Sequence, residues 1–397
     1  MNMKIFKLIF LLLCVSMQAM ADYEEGYFVY EDNTKTTITG LTEAGWAATA
    51  LTIPASVNSV GAYAFQNNGV VSKLVIDGNV AFDINAFSAQ DEYAHVVKNQ
   101  LTTIDAGSNM SVTNLERMLR ALVGGNSLES IYIEGYTDAP EGDIQWTEAY
   151  PLIYSVLTSA VKVTLPAVLV GNQTFGNAKV YGRFEINTAS GIATTCVNKT
   201  FRDTDTGSNL LFYAATGVPY NTQNNIYEIK VERVYYIKAG EGLLMHNADG
   251  TSWWAELERF DGEVPDTEND KHNNNMLKGT LASTPLSPTV EINSVSYSNL
   301  VLSQGAFHPI TGGSLGANRA YLQIETETLN AILGTSSSGK LSIAFPEEGE
   351  ETTSINILDS RLTTLDQAQP MYNLSGQKVS DSYKGIVIVN GKKILKR

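Results

Sequence analysis

The chain has 397 residues, a net charge of −15 and two cysteines. Its length exceeds the ~100–200 residues one core usually organises, so two or three domains are expected. An acidic surface repels phosphate backbones and argues against a nucleic-acid partner, while two cysteines support neither a disulfide framework nor a thiolate metal cluster.

Residues 1–21 have the parts of an export signal. Lys4 and Lys7 supply the positive start, and Leu8 to Val15 form an apolar run too short to span a bilayer. Ala19-Met20-Ala21 places small residues where a signal peptidase reads them. Cys14 follows the apolar run, but Leu13 before it is bulkier than a lipid-attachment site takes. Cleavage after Ala21 is expected, giving a secreted or outer-surface protein with no transmembrane segment once the signal is removed. Cys196 is then the only cysteine, read as a small buried apolar side chain.

Between residues 45 and 180 a short apolar strand recurs. Leu51-Thr52-Ile53-Pro54 is followed by Ala64-Phe65, Leu74-Val75-Ile76-Asp77 by Ala86-Phe87, and Val163-Thr164-Leu165-Pro166 by Phe175. Leu101 to Asp105 and Ser130 to Glu134 lie between them. The anchors Ile53, Ile76, Ile104, Ile133 and Leu165 are 23, 28, 29 and 32 residues apart. A strand at such intervals cannot bury its apolar face alone, so stacked coils are expected, with the five anchors in one core and Phe65, Phe87 and Phe175 on its far side. Helices fill the longer intervals. Thr113-Asn114-Leu115-Glu116 reads as a capping box, with Leu115, Met118, Leu119 and Leu122 on one face and Gly124-Gly125 as the stop. A second helix is expected from Tyr150 to about Ser159, its stripe being Leu152, Ile153, Val156 and Leu157.

Leu51-Thr52-Ile53-Pro54-Ala55-Ser56-Val57 followed by Val60-Gly61-Ala62-Tyr63-Ala64-Phe65 resembles the repeat of BspA-like bacterial leucine-rich-repeat surface proteins, of Bacteroides and Prevotella type. Residues 74–90 match in part and 163–178 more loosely. The resemblance implies a leucine-rich-repeat solenoid and a role in adhesion.

From 181 to 343, short β-rich runs alternate with Gly, Asn, Asp and Thr clusters and no strong helical stripe appears, which predicts an antiparallel β-sandwich or barrel. Gly191–Thr195, Ile237–Met245, Asn275–Thr280 and Ala317–Leu322, in that order, resemble a β-domain of secreted proteins from the same bacteria. An acidic linker is expected over 344–352, around Pro346-Glu347-Glu348-Gly349-Glu350-Glu351. The remainder, 353–397, reads as a small β module: Met371 to Val379 and Gly385 to Val389 are strands, Asn390-Gly391 is a two-residue hairpin turn, and Lys392 to Lys396 returns. This ending resembles the C-terminal secretion and sorting modules of these bacteria. The five basic residues within Lys384–Arg397 read as a solvated edge that blocks strand pairing.

No catalytic set emerges. His95, His246, His272 and His308 are scattered, and no phosphate loop, nucleophile elbow or zinc motif is present. Asp203 and Asp205 open like a calcium loop that lacks its closing Glu, so a solvated loop is the reading, with no metal and no cofactor. Trp253 and Trp254 are the candidate ligand-binding residues, because exposed aromatics stack on sugar rings; strand alternation would turn at least one of them inward. The expectation is thus a mainly β protein: a signal at 1–21, a repeat domain at 22–180, a sandwich at 181–343 and a C-terminal module. It would bind a host or bacterial surface protein or glycan. The alternative is a glycan hydrolase with a carboxylate pair in the β-domain.

Overall fold

The computed structural model describes residues 22–346 except 67–68, 89–99, 124–126, 138–142, 205–209, 224–225, 251–252 and 336–339, and beyond 346 the backbone of five short strands. The leader, Gly124-Gly125 and Asp205 lie outside the described residues. The chain is mainly β, as its composition of short runs separated by turn residues implies.

Six strands, Ala50–Ile53, Lys73–Ile76, Thr103–Ala106, Ser130–Ile133, Lys162–Pro166 and Lys179–Glu185, pair in parallel in sequence order. Alternation turns Leu51, Leu74, Ile104, Ile131 and Val163 to one side in register, with Ile53, Ile76, Ala106, Ile133 and Leu165 beside them; all are buried. Each Ile or Leu so buried contributes about 1.5–3 kcal/mol. All five anchors therefore enter one core, but Ile104 sits one inward position earlier than the others and Ala106 takes the anchor row.

The reverse side of each coil carries short parallel pairs. Val60 pairs with Phe82 and Ile38, and Trp146 pairs with Phe175. Phe65 and Phe82 both stack on Phe87, with ring centroids at 5.3 and 5.9 Å, and Trp146 meets Phe175 edge-on at 5.5 Å. In the longer coils helices take this place. Val112–Ala121 buries Leu115, Met118 and Leu119. Its N-cap is Ser111, whose side chain accepts from the Asn114 N–H, and not Thr113: the cap falls where the chain leaves the extended conformation, two residues before the expected box. The second helix is shorter than expected, Pro151–Val156, and Leu152 is exposed, leaving Ile153, Val156 and Leu157 as the packed face.

The boundary expected at residue 180 falls inside the sixth parallel strand. That strand's other edge pairs antiparallel with Trp254–Arg259, and the sheet continues through Phe201–Arg202 to Tyr236–Ile237, nine strands in all. Gly182 stands where the earlier strands carry Leu165 and Ile133. A Cβ on it would lie 2.4 Å from the Phe201 ring and 3.1 Å from the Ala167 Cα, so the Phe201 ring fills the space an anchor side chain would need. One hydrophobic core runs without a break from Phe28 to Leu257.

Leu210–Gly217 is the hinge of the rest. Leu210, Phe212 and Ala214 face that core, while Leu211, Tyr213 and Ala215 face a second one with Leu300, Phe307, Leu322 and Ile324. The strand belongs to a mostly antiparallel sheet with Ile192–Thr195, Leu243–Asn247 and Ile226–Arg233, covered on its far side by a sheet containing Leu277–Thr280, Val295–Ser303 and Arg319–Glu325. Burial on both faces explains its uninterrupted apolar run. The four sequence pieces noted above lie together here. Ile192–Thr195 pairs with Leu243–Asn247, Leu277–Thr280 pairs with Arg319–Glu325, and Thr194 Oγ1 accepts from the Ala320 N–H to join the two pairs. Three α-helices among the described residues are absent from the sequence reading, Glu43–Ala47, Asp266–Asn273 and Thr326–Thr335; the last buries Leu329 and Ile332. One apolar pair on a short segment is too weak a period to read from sequence.

The expected linker begins too early. Ala344 ends a strand that pairs with Ile226–Arg233, and Phe345 stacks on His246 at 3.9 Å and meets Tyr213 edge-on at 5.2 Å. In the C-terminal module, Gly385–Val389 and Lys392–Lys396 are antiparallel with Val389 opposite Lys392, a register that leaves two residues for the turn. Met371–Asn373 pairs on the other edge of Gly385–Val389, and Ile355–Ile357 adds in parallel to Lys392–Lys396. The side chains of the basic tail lie outside the described residues.

Candidate functional site

Every side chain that alternation turns out of the core of the nine-stranded sheet shares one open face. A single register row crosses it: Thr52, Val75, Asp105, Tyr132, Thr164, Tyr181, Glu258, Arg202 and Tyr236. Beside it run Arg183 opposite Glu256 and Glu185 opposite Trp254. The face is laced by ion pairs, Lys73 to Asp105 at 3.9 Å, Arg202 to Glu258 at 3.0 Å, and Lys162 to Glu256. Lys162 also lies over the Tyr181 ring, its Nζ 4.5 Å from the centroid.

Arg183 is the centre of this face. Its guanidinium carbon lies 5.0 Å from the Tyr132 ring centroid and 4.6 Å from that of Trp254, so aromatic faces flank the cation. Nε is 2.6 Å from Glu185 Oε1 but its N–H is misaligned, an ion pair rather than a directed hydrogen bond. The terminal nitrogens of Arg183 have no partner among the described residues. Burial pushes the Tyr132 and Tyr181 hydroxyls up in pKa, against the opposing pull of Arg183 on Tyr132 and Arg202 on Tyr181. Burial likewise raises the Asp105 carboxyl, and the neighbouring Lys73 offsets part of the rise.

At the C-terminal ends of the parallel strands the face drops into a cleft of about 420 Å³. Its walls include Tyr132, Glu134, Arg183 and Glu185 from the ladder and Asn318 and Arg319 from the β-domain. Arg319 is held by its backbone: Thr280 Oγ1 donates to its carbonyl at 3.1 Å, and the Ala320 N–H is fixed on Thr194. Asn318 before it takes a left-handed conformation, φ 58°, which Asn tolerates better than most residues. Glu134 accepts from the Ser108 N–H at 3.2 Å.

Comparison with known protein families, curated proteins and solved structures gives no match.

Of the two tryptophans read from the sequence, both are exposed, at 43% for Trp253 and 51% for Trp254. The expectation that alternation buries one of them is wrong, because the strand starts only at Trp254 and Trp253 precedes it, giving just its carbonyl to the Ile186 N–H. Trp254 belongs to the open face through Arg183; Trp253 does not enter the cleft. Asp203 is buried and paired with Arg233 at 3.1 Å, not solvated in a loop. Cys196 is buried as expected, and burial pushes its thiol up to about 11. His272 pairs with Glu241 at 2.6 Å and His246 stacks on Phe345, while His95 lies outside the described residues. Among the described residues no three His, Cys, Asp or Glu side chains could hold one metal ion, and no helix is long and apolar enough to cross a membrane. Tyr132, Glu134, Arg183 and Arg319 were missed. Their only sequence signal is position: Tyr132 and Arg183 stand at outward sites of ladder strands, and Glu134 directly follows one.

Proposed function

We propose that the chain is a secreted or surface-displayed binding protein that adheres to a host or bacterial surface protein or glycan. In this reading the parallel ladder is a leucine-rich-repeat solenoid of the BspA-like type, the two stacked sheets after it form a β-sandwich, and the tail is a secretion or sorting module. The strand register and the coil spacing of 22–23 residues in the first units support the solenoid reading. The observation that carries the binding role is the open face itself. Tyr132, Tyr181 and Trp254, interleaved with arginine, lysine and carboxylates, offer ring surface and hydrogen-bonding groups together, the two tyrosines half-buried and Trp254 exposed. The test is an array of glycans and matrix proteins probed with the chain from Asp22. Capture that Tyr132→Ala and Trp254→Ala abolish supports the reading; capture indifferent to both, or none at all, refutes it.

One observation favours a second reading, a glycan hydrolase. Glu134 and Glu185 line the same cleft, as a carboxylate pair must. Glu134 accepts from the Ser108 N–H and Glu185 is ion-paired with Arg183, whereas hydrolysis needs one of them to carry a proton. Release of reducing ends from a glycan panel, lost in Glu134→Gln and Glu185→Gln, would establish this reading over binding alone.

A further inference from the structure

The cleft between ladder and β-domain has a composition that selects a ligand. Two arginines line it, Arg183 ion-paired with Glu185 and Arg319 with no carboxylate partner among the described residues. Arg183 has its terminal nitrogens unpartnered, and the Arg319 side chain forms no hydrogen bond or ion pair with any described residue. Arg183 is held between the Tyr132 and Trp254 rings, and the backbone of Arg319 is anchored at the cleft wall. Forked donors without hydrogen-bond partners fit a carboxylate, which can accept two parallel N–H bonds.

The rest of the wall narrows the choice. Glu134 and Glu185 also line the cleft and are acceptors, so the ligand must bring donors as well as a negative charge. A polyphosphate brings charge without donors and would face two carboxylates. A neutral saccharide brings hydroxyls but leaves the Arg319 guanidinium without a counter-charge. A volume of about 420 Å³ is that of a small-ligand pocket, which spans about 300–1,000 Å³. Resting on the binding reading above, we propose that this cleft takes a carboxylate-bearing saccharide, its carboxylate on Arg183 and Arg319, its hydroxyls on Glu134 and Glu185, and its ring beside Tyr132.

The experiment is calorimetric titration of the chain from Asp22 with galacturonate oligosaccharides and sialyl-lactose, each beside its carboxyl-reduced form. The acidic form of at least one should bind, and carboxyl reduction should weaken it about tenfold or more, the usual loss when a charge-assisted hydrogen bond is removed. Arg183→Gln and Arg319→Gln should each weaken the acidic ligand by about the same factor and leave the reduced one unchanged; sodium chloride should weaken the acidic one only. Arg319 is exposed, so its variant tests the site even if Arg183→Gln disturbs the ladder. Equal binding of acidic and reduced forms, indifference to Arg319→Gln, or no binding of any acidic saccharide overturns the proposal. If array capture still depends on Tyr132 and Trp254 in any of those cases, the binding face stands and this assignment alone fails.

Discussion

Phe184 tests whether the ladder and the β-domain unfold as one body. It lies on the sixth parallel strand, is 3% exposed, and meets Phe201 and Phe212 edge-on at 5.2 and 5.0 Å, one from the continued sheet and one from the sheet stacked on it. A buried Phe removes about 150–250 Å² from water, which at about 25 cal/mol per Å² is about 4–6 kcal/mol. Phe→Ala truncations cost about 3–5 kcal/mol once partial relaxation of the cavity is included. We expect Phe184→Ala to cost about 4 kcal/mol, a large part of the ~5–15 kcal/mol that holds a typical domain. The assay is native-state hydrogen exchange, followed separately at ladder amides such as Ile104 and Ile131 and at β-domain amides such as Phe212 and Leu244. With one core, both sets should lose protection together, by about a thousandfold, since each ~1.4 kcal/mol is a factor of ten. Gly182→Val should act in the same direction by driving a side chain into the Phe201 ring. If ladder amides keep their protection while those of the β-domain lose it, the shared core is not cooperative and the reasoning fails.

Three further outcomes follow from the geometry. Cys196, with its thiol raised to about 11 by burial, should resist iodoacetamide in the native protein at pH 8 and react fully in denaturant; native labelling at the rate of a free thiol would contradict it. Asp105 has a folded-state pKa raised by burial, so its ionised form opposes folding. Stability from this group therefore falls as pH rises from the unfolded carboxyl value through the raised one, and Asp105→Asn should be more stable than the parent at pH 7 but not at pH 3; denaturant midpoints at the two pH values check the sign, and no gain at pH 7 would contradict it. Limited proteolysis should cut first after Pro346, because Phe345 is clamped between His246 and Tyr213; a first cut before Phe345 would show that this packing is weak.

Local periodicity was enough to place the ladder. Ile53, Ile76, Ile133 and Leu165 announce themselves because a strand buried on one face must repeat an apolar residue at every second position, and the coil length repeats with it. The helix at 112–121 was legible for the same reason, through Leu115, Met118 and Leu119 at helical spacing. The antiparallel pairing of Val389 with Lys392 agrees with the hairpin read from Asn390-Gly391, whose backbone preferences are intrinsic to the dipeptide. These are properties of a segment, carried by its own residues.

What joins the segments was not legible. Residue 180 looked like a boundary because the repeat ended there, yet Lys179–Glu185 continues the sheet by pairing with Trp254–Arg259, some 70 residues along the chain. Gly182 reads as a broken repeat until the Phe201 ring is seen in the space it leaves. The cleft is the same case. Glu134 and Arg183 come from the ladder and Arg319 from the start of a β-domain strand well over a hundred residues further on, and no spacing rule connects them. Trp254 was noticed for its chemistry, but whether it packs inward or flanks Arg183 depends on where its strand begins. Side-chain direction along a repeat is set locally by backbone geometry; which faces meet across a junction is set by long-range packing, and only the folded chain decides that.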